Sequence, residues 1–427
     1  MSARVSRSLR KRSEGSERSH PRSRSHRSGG SGSSQRKKAA AAAARQTHAI
    51  APKLDGGVVT AALVLASLGT IMSYSATAPL ATDGGIPPLF LDHVLGLAIG
   101  VAVASVIMWL PLGFWRRLAI PFWAIGVGLL GLTWWIGVEV NGAQRWLELP
   151  GSGFRFQPVE LAKCGTLLAV AMVASRSHGN TVLSSRRTLV AAGLVAPPVA
   201  LLLAQPDLGN AVLLAVLAGL MLLVAGTSLR ALAVAGVATA VGVVSFIATH
   251  PYALRRMTTF LDPYADPRGG GFQLVQSFVA FGHGGLSGVG IGSGWQKLFY
   301  LPEAHTDFVL ALVAEELGLI GVLLVLGAFT ALLIAGTRIA RQATSRFALL
   351  VAFSVTTVLT VPAIVNAGVV MGMLPTKGLT LPFLSYGRTS LVVSCAAVGL
   401  LLGIARRQDH SQERAVGTAK RRRLAWR

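Results

Sequence analysis

Residues 300–308 (YLPEAHTDF) combine side chains that are suited to acid–base chemistry. Glu303, His305 and Asp307 stand directly before a long apolar run. A carboxylate at the mouth of a membrane helix is costly to bury and therefore marks a functional position. Asp307 is our candidate catalytic base, since a carboxylate can accept the proton of an attacking hydroxyl. The alternative interpretation is that Thr306 or Asp307 only caps the following helix.

A second set of charged residues stands at the start of two other apolar segments. Glu160 and Lys163 are i,i+3 neighbours on a helix that Pro158 is suited to begin. They form either an ion pair that allows both to enter the membrane or a phosphate-binding lysine positioned by Glu160. Asp207, in the string Gln-Pro-Asp-Leu-Gly, either caps the next helix or binds substrate.

Further candidate substrate-binding residues are Arg145, Arg255, Lys377 and Ser385. Lys377 and Ser385 are polar positions in residues 375–387, where two prolines and two glycines predict a kinked re-entrant segment. Glu315 and Glu316 follow Asp307 on the same predicted helix, roughly 12–14 Å deeper. We interpret these two as packing or conformational groups that face the interior of the bundle.

The elements that position these residues are membrane helices. The chain has 427 residues, of which 52% are hydrophobic and 13% charged, whereas soluble proteins have about 25% charged residues. A span needs about 20 apolar residues, and ten segments qualify. We therefore predict an all-α polytopic membrane protein with ten spans, near residues 56–78, 90–111, 118–139, 159–176, 188–205, 208–226, 229–249, 307–336, 346–370 and 388–406.

The basic residues orient these spans. With a cytoplasmic N-terminus, most loop arginines fall on the inner side, as the positive-inside rule requires. Both termini are then cytoplasmic, and the candidate site residues all share the outer side. Cations on that side suggest an anionic ligand, although side chains reaching towards lipid headgroups would give the same pattern.

Residues 1–54 form a Ser/Arg-rich arm with fourteen Lys or Arg and two Glu, about half of the net charge of +23. This composition cannot build a core, so we expect a disordered cytoplasmic tail near anionic lipid rather than a nucleic-acid-binding arm or a cleavable signal peptide. Residues 408–427 form a second basic cytoplasmic tail. The spanning domain is expected over residues 55–407. Cys164 and Cys395 fall inside spans, which supports neither a disulfide nor a metal site.

Residues 250–306 form a long outer segment that is rich in glycine and contains several aromatic residues. Its middle is apolar enough to enter the membrane but too interrupted to span it, and such backbone persists only against protein or a water-filled cavity. We interpret this segment as the lid or wall of a cavity.

Several of these strings together resemble the SEDS family (shape, elongation, division and sporulation), the polytopic glycosyltransferases that polymerise peptidoglycan from lipid II. The similarity covers about residues 57–405. Ala304 is typical of the division (FtsW-like) branch, because the elongation branch usually has Gln at this position. The strings that carry the resemblance are residues 145–147, 156–163, 205–209, 302–308 and 382–387.

The resemblance implies a SEDS-type bundle that joins lipid-linked disaccharides, with inversion, at the outer face of the bacterial cytoplasmic membrane, at the division septum. Asp307 matches the essential carboxylate of the family, and Glu160, Lys163 and Asp207 match polar cavity positions. Expected partners are lipid II, undecaprenyl-linked glycan, a single-span transpeptidase (a class B penicillin-binding protein) and other division membrane proteins. A divalent cation (Mg or Mn) is a possible cofactor, but the spacing of the acids does not establish a metal site.

The chain departs from the family pattern at three places. Arg388 and Thr389 replace small residues, Val159 replaces a common Ser, and His283 stands at a small-residue position. None of these removes an expected acid or base. Two other functions remain open: a flippase for lipid-linked precursors, which would need polar groups at both faces, and a non-catalytic division scaffold.

Overall fold

The computed structural model describes residues 54–81, 85–140, 143–148, 155–176 and 183–425, with side chains up to Gln408. The predicted disordered arm lies outside the described residues, apart from Leu54. Twelve α-helices occur in the described part: α1 Gly56–Thr77, α2 Pro88–Trp109, α3 Leu112–Ile136, α4 Pro158–Ala174, α5 Ser185–Ala204, α6 Leu208–Val224, α7 Leu229–Thr249, α8 Pro251–Leu261, α9 Phe272–Gly284, α10 Val309–Arg341, α11 Arg346–Val370 and α12 Arg388–Ala425.

Ten of these helices lie at the ten predicted spans, and the predicted all-helical membrane bundle is confirmed. Eight are long and apolar enough to cross a bilayer. The other two, α4 and α6, have 17 residues each, which corresponds to about 25 Å of helix. Prolines and polar turns set the boundaries. Pro158 opens α4 as predicted, and residues 205–207 form the sharp turn between α5 and α6.

A small antiparallel sheet lies between α3 and α4, and the sequence analysis did not predict it. The strands β1 (Val138–Val140), β2 (Ala143–Glu148) and β3 (Arg155–Phe156) pair in the order β1-β2-β3. Val, Trp and Phe favour extended backbone. The central strand β2 carries Arg145, so the sheet fixes the position of one candidate site residue.

The outer segment 250–306, which the sequence predicts to be the lid or wall of a cavity, is partly helical. It contains the helices α8 and α9 and a tight turn at Gln296–Tyr300. Pro251 begins α8, and residues 262–271, which end in three consecutive glycines, separate α8 from α9. Leu274, Ser277 and Ala280 of α9 are buried, so this helix packs against the bundle. The segment is therefore folded, and its role as the lid or wall of a cavity stays a prediction.

Residues 371–387, between α11 and α12, are irregular yet largely buried from Leu379 to Ser385. This arrangement agrees with the predicted re-entrant segment, because non-helical backbone at this depth must be covered by protein. Gly69 of α1 lies directly against the backbone carbonyl of Phe383, where any side chain would collide. Helix α1 thus holds the segment from one side.

Candidate active site

A tight turn presents Asp307 at the outer end of α10. The Glu303 carbonyl accepts hydrogen bonds from the backbone N–H groups of Thr306 (3.1 Å), Asp307 (3.2 Å) and Phe308 (3.3 Å). The Thr306 hydroxyl donates to the Glu303 carboxylate over 2.8 Å. Helix α10 has no side-chain cap at its N-terminus. The capping interpretation of Thr306 and Asp307 is therefore wrong, and the Asp307 carboxylate is left for another role.

The re-entrant segment clamps this turn through its backbone. The Ser385 hydroxyl donates to the Thr306 carbonyl over 2.5 Å and accepts from the Leu381 N–H over 2.7 Å. The Tyr386 N–H donates to the His305 carbonyl over 2.8 Å. Ser385 was predicted to bind substrate, but its hydroxyl is buried and already has two protein partners. We correct its role to that of a positioning residue.

The carboxylate of Asp307 is half-buried among charged groups from several elements. Burial is the main cause that raises the pKa of Asp307 to about 7, and the nearby Glu303 carboxylate is the second. Arg256 and Arg145 oppose this rise. Asp207 acts in the same direction as Glu303, more weakly. A base is most effective when its pKa lies near the working pH. The surroundings thus suit Asp307 to accept and release a proton near neutrality.

Asp207, Arg145 and Lys377 meet beside the start of α6. The Asp207 carboxylate accepts from the Asn210 N–H (3.2 Å) and side-chain amide (2.8 Å), so the predicted cap exists. Arg145 Nε lies 3.8 Å from Asp207 Oδ2, and its Nη2 donates to the Pro206 carbonyl over 2.7 Å. Burial lowers the pKa of Lys377, and Asp207 opposes this shift. Asp207 thus pairs with Arg145 and stabilises the charged form of Lys377.

Arg256, which the sequence analysis did not select, occupies the place predicted for Arg255. Arg256 Nη1 donates to the Thr376 carbonyl over 3.1 Å, and its guanidinium acts on both Asp307 and Lys377. The side chain of Arg255 is exposed and has no ion pair or hydrogen bond within the described part of the chain. A prediction of residues 251–261 as an amphipathic helix would have placed Arg255 and Arg256 on different faces of that helix.

Glu160 and Lys163 form the predicted i,i+3 ion pair, with Nζ and Oε1 2.8 Å apart and both side chains buried. The pair is not among the charged groups that act on Asp307. The structure therefore supports the ion-pair interpretation, and substrate binding by these two residues stays a prediction.

Two further residues at the site were missed. Glu303 is the carboxylate with the largest effect on Asp307, and Asn366 of α11 donates to the Asp307 carbonyl over 2.7 Å. Glu303 stood in the analysed string but was not assigned a role. No local signal pointed to Asn366, which lies inside an apolar span.

The described residues contain no group of three or more His, Cys, Asp or Glu side chains that could hold a metal ion. Asp307 and Glu303 are close, but the oxygens of Asp207 are committed to Asn210. The protein side chains described here therefore do not build a metal site by themselves.

A family model described as a cell cycle protein (FtsW, RodA, SpoVE) matches residues 57–410. The chain belongs to the FtsW/RodA/SpoVE family. It is 41% identical over 349 residues to a probable peptidoglycan glycosyltransferase FtsW of Trichlorobacter lovleyi, covering 80% of this chain and 90% of the relative. It is 39% identical over 360 residues to the protein of the same name from Coxiella burnetii, covering 82% and 96%.

Solved structures of the FtsW/RodA/SpoVE fold agree with this assignment. A chain from the structure titled "Structural coordination of polymerization and crosslinking by a peptidoglycan synthase complex" superposes with a TM-score of 0.69 at 30% identity, covering 84% of this chain and 99% of that one. The rod shape determining protein RodA of Thermus thermophilus gives 0.62 at 30% identity, covering 83% and 97%. The predicted family and its bundle are confirmed.

Proposed function

We propose that this chain is a peptidoglycan glycosyltransferase that polymerises lipid II at the outer face of the cytoplasmic membrane during cell division, with Asp307 as the general base. The observation that carries the proposal is the surroundings of Asp307. Its pKa of about 7 is set by burial and Glu303, and the guanidinium groups of Arg145 and Arg256 lie nearby. A proton acceptor next to cations fits the joining of sugars that carry a pyrophosphate-linked lipid.

The reaction needs one proton acceptor and one site for negative charge. The 4-hydroxyl of the acceptor sugar attacks the anomeric carbon of the donor, and the bond from that carbon to the pyrophosphate oxygen breaks. The bonding electrons leave with the lipid pyrophosphate, and the configuration inverts. Asp307 takes the hydroxyl proton, a contribution of about 10²–10⁴ in rate. The arrangement needs no covalent intermediate on the protein.

The cations supply the second requirement. Arg145, Arg256 and Lys377 lie on three different elements and converge beside Asp307 and Asp207. Fixed cations that face developing negative charge stabilise the transition state without reorganisation. Since Asp207 partly neutralises Arg145 and Lys377 before substrate arrives, it keeps these like charges together. We assign these three cations to the departing pyrophosphate.

The decisive experiment measures polymer formation from labelled lipid II by purified protein. Asp307→Asn and Asp307→Ala should abolish polymerisation while protein levels in the membrane stay normal. Asp307→Asn keeps the shape of the side chain but cannot accept the proton at neutral pH. Glu148→Gln, an exposed carboxylate on β2 paired with Arg155, is the matched control and should retain activity. Near-normal polymer from Asp307→Asn would rule out the general base.

A flippase is the competing function. It predicts polar groups that reach both membrane faces, whereas Asp207, Asp307, Arg145, Arg256 and Lys377 cluster at one end of the bundle. A liposome assay with lipid II placed only on the inner leaflet distinguishes the two functions. Transport to the outer leaflet without polymer, unaffected by Asp307→Asn, would favour the flippase.

The finer aspects of the proposal concern partner, location and cofactor. We propose a class B penicillin-binding protein as partner, acting through the folded segment 250–306 that ends at Asp307, together with cytoplasmic termini and a septal location. Polymerisation with and without the partner at matched protein levels tests the first of these. A divalent cation shared with the pyrophosphate also stays a proposal, tested by chelation followed by addition of Mg²⁺ or Mn²⁺.

A further inference from the structure

Two adjacent carboxylates outside the site, Glu315 and Glu316 of α10, are fully buried, with 0% and 1% of their surface exposed. Burial of neighbouring carboxylates is costly unless each has charged or hydrogen-bonding partners. Both have several, and four of the six partner residues come from one segment of the chain, residues 285–297. We call this segment the insert.

Glu316 ties the insert to α1 and α10. Its Oε1 lies 2.8 Å from Lys297 Nζ and 2.7 Å from Ser75 Oγ, and its Oε2 accepts the Gly292 N–H over 3.0 Å. Lys297 also donates to Ser75 over 2.9 Å. Although it comes from an outer segment, Lys297 is 9% exposed. One buried ion pair therefore joins three elements.

Glu315 holds the neighbouring part of the insert. Its two oxygens accept the backbone N–H groups of Trp295 (2.9 Å) and Gln296 (3.1 Å), and His283 Nδ1 of α9 lies 3.0 Å from Oε1. His283 is one of the three departures from the family pattern. The structure gives it a carboxylate partner, so α9 is tied to the same group.

Helix α10 is broken where the insert enters. Gly318 has φ 66° and ψ −163°, which only glycine adopts readily. The carbonyls of residues 315 and 316 would normally accept from the N–H groups of residues 319 and 320. Instead they accept from residues 289 and 290, both over 3.0 Å, while the two displaced N–H groups donate to carbonyls 285 (3.0 Å) and 286 (3.2 Å). Hydrogen bonds to the insert thus take the place of two hydrogen bonds within the helix.

The break separates a short outer piece of α10, residues 309–317, from the rest of the helix. Asp307 stands directly before this piece. Two of the hydrogen bonds that would join the outer piece to the main part of α10 run to the insert instead. The insert, together with the packing of the buried residues 309–316, therefore contributes to the direction of the outer piece.

We infer that Glu315 and Glu316, together with Lys297, Ser75 and His283, are positioning residues that set the place of Asp307 through the insert. The inference rests on the proposed role of Asp307 as the base. Asp307 lies roughly 16 Å along the helix axis from Gly318, so a tilt of about 5° there moves it by more than about 1 Å. A misplacement of about 1 Å can cost about 100-fold in rate.

The test uses the ion pair of the full-length protein. Lys297→Met and Glu316→Gln each leave one buried charge without its partner, whereas the double variant removes both charges. Each single variant should lower kcat per folded molecule by at least about 10-fold, with KM for lipid II within about 3-fold. The double variant should regain most of the loss, because a neutral buried pair is often tolerated.

The pH profile separates positioning from a role in stability alone. Glu303, Arg256, Arg145 and Asp207 act on Asp307, so displacement of Asp307 changes these distances. In the pH profile of kcat, the acid limb should move to a different pH in Lys297→Met and in Glu316→Gln. In the double variant it should lie at the pH of the unmodified protein. Arg338→Met is the control. Arg338 lies on α10 beyond the break, and the substitution breaks its ion pair with Asp55, the residue before α1. It should leave kcat and the pH limb unchanged.

Three results would overturn the inference. The first is wild-type kcat per folded molecule in both single variants. The second is a loss of thermal stability with an unmoved pH limb, which would make the network merely structural. The third is an equal effect of Arg338→Met. Failure of the proposed function gives a different result, namely polymer formation by Asp307→Asn in an otherwise unchanged protein.

Discussion

The side-chain amide of Asn366 donates to the Asp307 carbonyl over 2.7 Å and to the Leu379 carbonyl over 2.8 Å. One buried residue of α11 thus joins the turn that presents the candidate base to the re-entrant segment that carries Lys377. These two stretches are separated by about 70 residues in the sequence, and neither is helical at the contact. Their spacing depends on this amide.

Asn366→Ala should therefore destabilise the protein and reduce polymerisation. The substitution removes the amide that donates to the carbonyls of Asp307 and Leu379, so each carbonyl loses one hydrogen bond. An unsatisfied buried group of this kind lowers the free energy of unfolding by about 1–3 kcal/mol. Asn366→Asp should be worse, because a carboxylate would face the same two carbonyl oxygens. Thermal unfolding in detergent and polymer yield per folded molecule measure both effects. Equal stability of all three proteins would contradict the role of the amide.

The polymerisation rate should depend on pH through Asp307. Its pKa is raised to about 7, and the base must be deprotonated, so kcat/KM should rise between about pH 6 and 8. Glu303→Gln removes a carboxylate that raises this pKa, so the acid limb should move to lower pH. Glu148→Gln should leave the limb in place. A shift of the Glu303→Gln limb to higher pH would contradict the assignment.

The two neighbouring arginines of α8 should behave differently. Arg256→Ala removes a cation that faces Asp307 and is anchored to the Thr376 carbonyl, so kcat should fall by at least about 100-fold. Arg255→Ala should cost at least about 10-fold less, since Arg255 is exposed. Lipid II polymerisation at matched protein levels measures both. Equal losses of activity in the two variants would contradict the different roles assigned to Arg255 and Arg256.

The departure at Arg388 should be coupled to Asp92. Arg388 Nη1 lies 3.4 Å from Asp92 Oδ1, and the Tyr386 hydroxyl donates to the same carboxylate over 3.2 Å. The pair is half-exposed, so we expect a coupling of about 0.5–1 kcal/mol in unfolding. A double-mutant cycle with Asp92→Asn and Arg388→Gln measures it. Strictly additive effects would mean that the contact contributes nothing.

The positions of the spans could be predicted because each must stay apolar for about 20 residues, which hydropathy detects locally. Asp207 as a cap and Glu160 with Lys163 as a pair were also local patterns, formed within three residues. The family and enzyme class followed from short strings, and the comparisons with known proteins confirm both.

The remaining features depend on contacts between distant segments. Gly318 follows Glu315 and Glu316 in an otherwise apolar segment, and a single glycine there does not predict a break, since glycine is common in membrane helices. The insert that occupies the break comes from a segment that was predicted to be a loop. Ser385 was predicted to bind substrate because its hydrogen bonds to Thr306 and Leu381 cannot be foreseen from local sequence. Arg256 and Arg255 differ by one position, which only the direction of α8 resolves.

Helix α7 has no buried residue, in contrast to α11, where most residues are buried. A span that faces hydrocarbon on almost all sides is constrained by its average apolarity and not by the shape of each side chain. Apolar residues there can be exchanged for one another almost freely. This makes α7 the natural place to introduce a fluorescent or spin label, because the reporter would disturb neither the packing of the bundle nor the site.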